Sequence, residues 1–297
     1  MARFKEAIID LDLPLYKAAA AGQKTYYHLY DENGKHVDEF SSAKECKEHL
    51  EELAEFLMVD TSNYTRESEV RIGEFEVCTK TLDYLVNFYL EKAGAEKGLF
   101  SIGGGGKTFR DDVGVSKIYK GNRTQEKPHY FKQLKEYAIK TYNPKIVTGI
   151  ESDDQISMWL YEDYLRGLKT KDKNKCKRIM VDLEKDCRTT PSWHIDPEKD
   201  EEPVWISTLD ANRWCLTMAI GGDACDHYGG LKGYGYKKAA KVLEDCKTTK
   251  EMWEETCKLF EKEYGEGWED YLEEMCRLAF MLREGDIEND WKVLKGD

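Results

Sequence analysis

Asp223 and Asp226 stand three residues apart, and the glycine-rich turn Gly229-Gly230-Leu231-Lys232-Gly233-Tyr234-Gly235 follows them and leads into Tyr236-Lys237-Lys238. Carboxylates bind hard divalent cations such as Mg2+. Closely spaced glycines let backbone N–H groups approach a phosphate at the N-terminus of the next helix. The run is therefore suited to holding a metal ion beside a phosphate backbone, with the two aspartates expected on one helical face. The glycine turn reads alternatively as a plain helix–helix connection.

Other acids fall directly after short apolar runs. Asp10 follows Ile8-Ile9, Glu151-Ser152-Asp153-Asp154 follows the segment from Pro144 to Ile150, and Glu184 and Asp186 follow Ile179-Met180-Val181. Each group alone also reads as acid placed at a helix start, where the helix dipole favours it. Together they imply more, because clustered like charges repel, raise one another's pKa and are most naturally maintained by bound cations. An all-oxygen ligand set suits Mg2+ or Mn2+ over zinc. Two such ions roughly 3.5 to 4 Å apart can activate a water and stabilise the leaving oxygen in phosphodiester hydrolysis.

These residues need strands and helices to position them. Residues 6–10, 98–102, 144–150 and 178–181 read as buried strands, the second closed by Gly103-Gly104-Gly105-Gly106-Lys107. Asn33-Gly34 marks a hairpin between 25–30 and 35–40. Ser41 or Ser42 caps a helix to about Leu57, and a further helix runs from about Phe75 to Ala93, ending at Gly94. Strands alternating with helices predict an α/β fold, a mostly parallel sheet flanked by helices. In such sheets functional groups collect beyond the carboxyl ends of the strands. After Trp205 the pattern turns helical, over 212–220, 237–244, 249–264 and 268–283. The expected division is a sheet domain over 1–205 and a helical module over 206–297.

The chain has 297 residues, 40% of them hydrophobic, which is enough for one large core or a sheet domain with a smaller module. No apolar run approaches the roughly 20 residues of a membrane span, and the first ten residues have a strand rather than a signal-peptide shape. Residence in the cytoplasm is expected, the host's if the chain is phage-encoded. Nine cysteines without a C-x-x-C pair, and six histidines without ligand spacing to them, predict reduced thiols and no zinc site. The net charge of -13 argues against non-specific coating of nucleic acid. Basic residues are nonetheless concentrated locally: Lys117, Lys120, Arg123, Lys127, Lys132, Lys135, Lys140 and Lys145 face only Glu126 and Glu136 over 116–145, and Lys169, Lys171, Lys173, Lys175 and Lys177 lie between Arg166 and Arg178. Each run reads alternatively as a solvated face.

In chain order, Ile8-Ile9-Asp10, Phe109-Arg110 with Ile118-Tyr119-Lys120-Gly121-Asn122-Arg123, Glu151-Ser152-Asp153-Asp154, Glu184-Lys185-Asp186 and Gly222-Asp223 through Gly235 resemble the motifs of the 5'-nucleases. That family includes flap endonucleases, the 5'-exonuclease domains of bacterial DNA polymerases and the phage 5'-to-3' exonucleases, which this chain resembles most. The resemblance implies a PIN-like sheet domain with a helical arch around 110–145, followed by a helix-three-turn-helix module that holds duplex DNA by its backbone. It implies a first metal region of Asp10, Glu151, Asp153 and Asp154, and a second of Glu184, Asp186, Asp223 and Asp226. Lys120 and Arg123 match the basic pair that engages the reacting phosphate. Arg110, Gly230, Lys232, Gly233, Gly235, Lys237 and Lys238 are implied DNA contacts, and Tyr119 either stacks on an end base or packs internally.

Two positions depart from the family pattern. An Asp is common where this chain has Gly103 to Gly106, which leaves a first-metal ligand missing or supplied by Asp12, Asp111 or Asp112. Glu184 stands where an Asp is usual. The resemblance implies a Mg2+- or Mn2+-dependent enzyme, with two ions, that hydrolyses DNA from or near a 5' end or flap. A monomer working with replication proteins, and independent of membranes, is the expected setting. The alternatives are a catalytically silent DNA-structure-binding protein of the same fold and a PIN-type ribonuclease.

Overall fold

The computed structural model describes residues 3–296. The chain divides into two compact units, one formed by 1–13, 86–125 and 142–297 and the other by 14–85 and 126–141.

The first unit holds a six-stranded sheet in the order β6-β5-β1-β7-β8-β9, with β1 Phe4–Asp10, β5 Ala95–Thr108, β6 Lys145–Gly149, β7 Arg178–Val181, β8 Ser192–Ile195 and β9 Val204–Ile206. All neighbours pair in parallel except β8 and β9, which are antiparallel. Ala7, Ile8 and Ile9 are fully buried, as a central parallel strand covered on both faces requires. The order runs from β1 through β5 to β6 on one side and resumes with β7 on the other, so the switch point lies at β1. The carboxyl ends of β1, β5, β6 and β7 therefore share one edge. Helix α6, Ser152–Thr170, sets Ile156 and Leu160 against Ile8 and Met180.

The glycine run does not close β5. The strand continues to Thr108, and its register against β6 jumps between Gly103 and Thr108. Gly105 and Gly106 take φ of 86° and 91°, values open to glycine at little cost. Beyond the sheet, α7 Thr208–Gly221, α8 Tyr236–Leu243, α9 Thr249–Tyr264 and α10 Trp268–Ala279 enclose a core that includes Leu216, Ile220, Leu243, Phe260, Leu272 and Met275.

The second unit contains the predicted hairpin, β2 Gln23–Tyr30 with β3 His36–Phe40, and the predicted helix α2 Ala43–Glu55 capped by Ser42. Strand β4, Thr65–Ile72, completes a three-stranded sheet in the order β3-β2-β4. Sequence reading missed β4 because all eight of its residues are exposed, so it carries no apolar alternation. The remaining helices are α1 Asp12–Ala21, α3 Phe75–Ala93, α4 Phe109–Val113 and α5 Phe131–Tyr142, with 114–130 irregular between the last two. All nine cysteines are free thiols, and among the described residues no helix is long and apolar enough to cross a membrane.

Candidate metal centre

Eight carboxylates occupy the shared edge of the first unit or close upon it. Asp10 ends β1, and Asp12 opens α1 directly after it, its N–H bonded to Asp10 Oδ1 at 2.8 Å. Glu151 and Asp153 begin α6 after β6, and Glu184 and Asp186 follow β7. Asp223 and Asp226 come from beyond the sheet, and here the structure corrects the sequence. Helix α7 has ended at Gly221, and the two aspartates lie in a tight turn closed by paired backbone hydrogen bonds between Asp223 and Tyr228, not on a helical face. Asp186, Asp223 and Asp226 each offer an oxygen within 4.8 Å of the others'.

The turn survives because two glycines let the chain cross itself. Gly222 (φ 68°) and Gly230 (φ 59°) meet so closely that a Cβ on Gly230 would lie 2.3 Å from the Gly222 nitrogen. Gly230 is buried, its N–H directed at Met275 Sδ and its carbonyl accepting from Tyr271 Oη at 2.7 Å. Its expected role as a DNA contact is therefore replaced by this crossing. Lys232, Gly233, Gly235, Lys237 and Lys238 remain exposed, with Gly235 capping α8.

Cations are interleaved with the carboxylates. Lys120 Nζ pairs with Glu151 Oε1 and lies 3.8 Å from Asp226 Oδ1, which Arg123 Nη2 reaches at 2.7 Å. Lys185 Nζ pairs with Asp223 Oδ2 at 2.5 Å. The backbone fixes this geometry: Lys120 N–H donates to the Asp226 carbonyl at 2.9 Å, and Asn122 Nδ2 donates to the Ala224 carbonyl at 2.8 Å. Lys185 was not expected from sequence; the signal was its position between two acids of the cluster.

Two expected roles change, and of the two readings of Tyr119 the internal one holds. Asp154 is fully buried and accepts from Arg110 Nη1 and Nη2 at 2.7 and 2.8 Å, from Glu151 N–H at 3.1 Å and from Leu282 N–H at 3.0 Å. Its four acceptor positions are thus filled by internal donors, leaving none for a metal. Arg110, buried by the same pair and donating to the Phe280 carbonyl at 2.7 Å, is an internal anchor and not a DNA contact. Tyr119 is 5% exposed, so its ring is unavailable for stacking on a base, while its hydroxyl donates toward Glu151 Oε2 and Asp226 Oδ2, each at 2.9 Å.

The glycine departure is filled from α1. Gly103 N–H donates to Asp12 Oδ2 at 3.1 Å, and a Cβ on Gly103 would lie 2.8 Å from that oxygen. A side chain at 103 would displace Asp12, so the glycine makes room for a carboxylate delivered by a neighbouring element. Asp111 instead accepts from Thr108 N–H at 2.7 Å at the start of α4, and Asp112 is exposed.

Burial and mutual repulsion act together on the protonation of the cluster. Burial, with the facing Asp153 and Asp12, raises the Asp10 carboxyl well above the ordinary range. Burial and Glu184 do the same for Asp153. The Glu184 carboxyl is pushed up to about 7 by desolvation and by the neighbouring Asp10, Asp186 and Asp226. Burial also lifts Asp186 to about 6, against the opposing pull of Lys185. Glu151 behaves oppositely: burial would raise it, but Arg110 and Lys120 hold it below its usual value. A donor set of hard oxygens that resists full ionisation is suited to divalent cations of the Mg2+ class.

Solved structures of 5'-nucleases are similar to this chain. Bacteriophage T5 5'-exonuclease with bound divalent metal ions (zinc) is 13% identical, with 73% of this chain and 89% of that one covered and a TM-score of 0.45. The bacteriophage T5 flap endonuclease in a pseudo-enzyme-product complex with DNA and metal ions has the same identity and coverage and a TM-score of 0.47. The catalytic core of Rad2 in complex with DNA substrate is 11% identical over 88% of this chain and 65% of that one, with a TM-score of 0.44. No family model and no curated protein matches the chain.

The raised carboxyls set a pH dependence with a definite sign. A carboxyl whose folded-state pKa exceeds its unfolded value favours folding below the unfolded value, and that contribution is lost as pH rises through the folded one. For Glu184 and Asp186 the loss runs from about 4 to about 7. A cation that binds the ionised cluster opposes it. The melting-temperature gain from Mg2+ is therefore expected to grow between pH 5 and pH 8 (about that window). Thermal scans with Mg2+ and with EDTA check this, and a gain independent of pH would contradict it.

Proposed function

We propose that this chain is a metal-dependent 5'-nuclease that hydrolyses DNA phosphodiester bonds from or near a 5' end. The carrying observation is the convergence of carboxylates from β1, β6, β7 and the 223–228 turn at one sheet edge, with Lys120, Arg123 and Lys185 set among them. Asp10, Asp12 and Asp153 would hold one Mg2+ or Mn2+ ion, Asp186, Asp223 and Asp226 a second, and Glu184 lies between the two groups. Bound there, such ions lower the pKa of an attacking water and balance the charge of the leaving oxygen.

The side chains supply the rest. With cations held by Asp226 and its neighbours, Lys120 and Arg123 would be free to turn from Glu151 and Asp226 to the non-bridging oxygens of the reacting phosphate. Tyr119 Oη holds Glu151 and Asp226 in a fixed relation while this exchange occurs. The exposed Lys232, Lys237 and Lys238, with Gly233 and the Gly235 cap of α8, would hold duplex DNA through phosphate contacts, which position the duplex without reading its sequence. Asp12 beside Gly103 supports the enzyme over a catalytically silent DNA-binding protein, because the carboxylate missing from one strand is delivered by another element.

The test uses purified protein, Mg2+ or Mn2+, and duplex DNA labelled at the 3' end of a strand whose 5' end is free, flapped or blocked, beside an RNA counterpart. Metal-dependent cleavage close to the free or flapped DNA 5' end is expected. DNA binding without cleavage in either metal, or cleavage of RNA alone, would overturn the reading.

A further inference from the structure

The second unit carries a group of metal-ligating side chains with a different chemistry. His28, Glu39 and Glu69, one from each strand of β3-β2-β4, offer atoms within 4.8 Å of one another, and the second imidazole, His36, lies beside them. The period of a strand places most of them on one face: Glu39 pairs directly with His28, and Glu69 and Arg71 pair with Tyr26 and Lys24 on the same side of β2. His36 requires a further device. Strict alternation from Glu39 would turn it to the opposite face, but the register of β2 on β3 shifts between Leu29 and Tyr30, so His36 pairs with Tyr30 on the face of His28.

The nitrogen atoms are arranged for a ligand. His28 Nε2 lies 3.0 Å from Glu69 Oε2. An ionised carboxylate can only accept, so the neutral ring carries its proton on Nε2 and turns the Nδ1 lone pair to His36 Nε2, where a metal ion would take the place of the hydrogen bond between the two rings. That nitrogen lies 3.3 Å from His36 Nε2 and 3.8 Å from Glu39 Oε2. Two nitrogens bound tetrahedrally to Zn2+ at about 2.0–2.1 Å are roughly 3.3 Å apart. A carboxylate on the far nitrogen of a ligating histidine is the arrangement that fixes its tautomer and orientation. Arg71 orients both acids, donating to Glu39 Oε2 at 2.6 Å and to Glu69 Oε2 at 3.0 Å. Imidazole with carboxylate selects zinc-class ions, whereas the all-oxygen cluster of the first unit selects Mg2+-class ones.

The small sheet also has a use for such an ion. Leu29 is the only buried residue of β2, β3 and β4, so burial contributes little to joining these strands. We propose that His28, His36 and Glu39 form a zinc-class metal site on the exposed face of the three-stranded sheet, with Glu69 orienting His28 and the ion stapling β3 to β2. The sequence carries no zinc-ligand spacing of cysteine and histidine. These ligands are instead gathered across strands by register and one bulge. The site stands independently of the nuclease reading.

The test titrates the whole, metal-stripped chain with Zn2+ against a chromogenic chelator in excess Mg2+. Wild type and the Asp186→Asn/Asp223→Asn double variant are expected to retain one tight Zn2+ equivalent, and His36→Ala to bind it at least ~10-fold more weakly. Because His36 is exposed, its replacement leaves the core untouched. Co2+ in place of Zn2+ should give the visible absorption of a four-coordinate site in wild type and lose it in His36→Ala. Unchanged Zn2+ affinity in His36→Ala, or loss of the tight equivalent in the double variant, would overturn the proposal.

Discussion

Asp186→Asn combined with Asp223→Asn is expected to lower the single-turnover cleavage rate of a 5'-flapped duplex by on the order of a thousandfold or more, because several kcal/mol of charge stabilisation depend on the bound cation. The Asp186 and Asp223 carboxylates offer oxygens within 4.8 Å of each other and of one from Asp226. Asparagine keeps the shape and removes the charge, and the turn is held by backbone bonds between Asp223 and Tyr228, so the fold should survive. Duplex affinity, which in this account comes from Lys232, Lys237 and Lys238, should change little. Rapid-quench rates beside fluorescence-anisotropy binding separate the two effects. A wild-type rate in the double variant would remove these residues from the reaction.

The second large effect is expected at Lys120. Its ammonium is held by Glu151 beside Asp226, and burial, which would lower its pKa, is outweighed by these two carboxylates, which raise it. A positive charge kept in place at the cluster can move to a phosphate as its partners become neutralised by metal. Lys120→Ala is expected to cost roughly a hundredfold to a thousandfold in cleavage rate, the magnitude typical of removing one preorganised donor to developing charge. Lys120→Arg should recover part of the rate by keeping the charge. Since Lys120 is one phosphate contact among several, duplex affinity and its salt dependence should shift only slightly. Equal rates in wild type and Lys120→Ala would contradict its placement at the reacting phosphate.

The strand ends were legible in the sequence because central parallel strands are continuous apolar runs, and the acids that follow them mark where each run leaves the sheet. The finer assignments depend on packing between elements distant in sequence. Asp153 and Asp154 are adjacent on a helix, so they point about 100° apart, and only packing decides which one faces the cluster and which meets Arg110. Arg110 reads as a phosphate ligand until its burial is seen. Gly230 reads as a phosphate-binding glycine, but its close crossing with Gly222 joins residues eight positions apart, a contact no local pattern reveals. Asp12 is the converse case: a carboxylate of α1 stands where β5 lacks one, and only the parallel pairing of β1 with β5 brings them together.

Whether the carboxylate edge is a metal centre is tested most directly by anomalous diffraction from crystals soaked in Mn2+. Mn2+ peaks are expected in contact with Asp186, Asp223 and Asp226 and with Asp10 and Asp153, with Lys120 and Lys185 drawn away from Glu151 and Asp223. Crystals that bind no Mn2+ along this edge, with both lysines still paired to their carboxylates, would contradict a metal centre there.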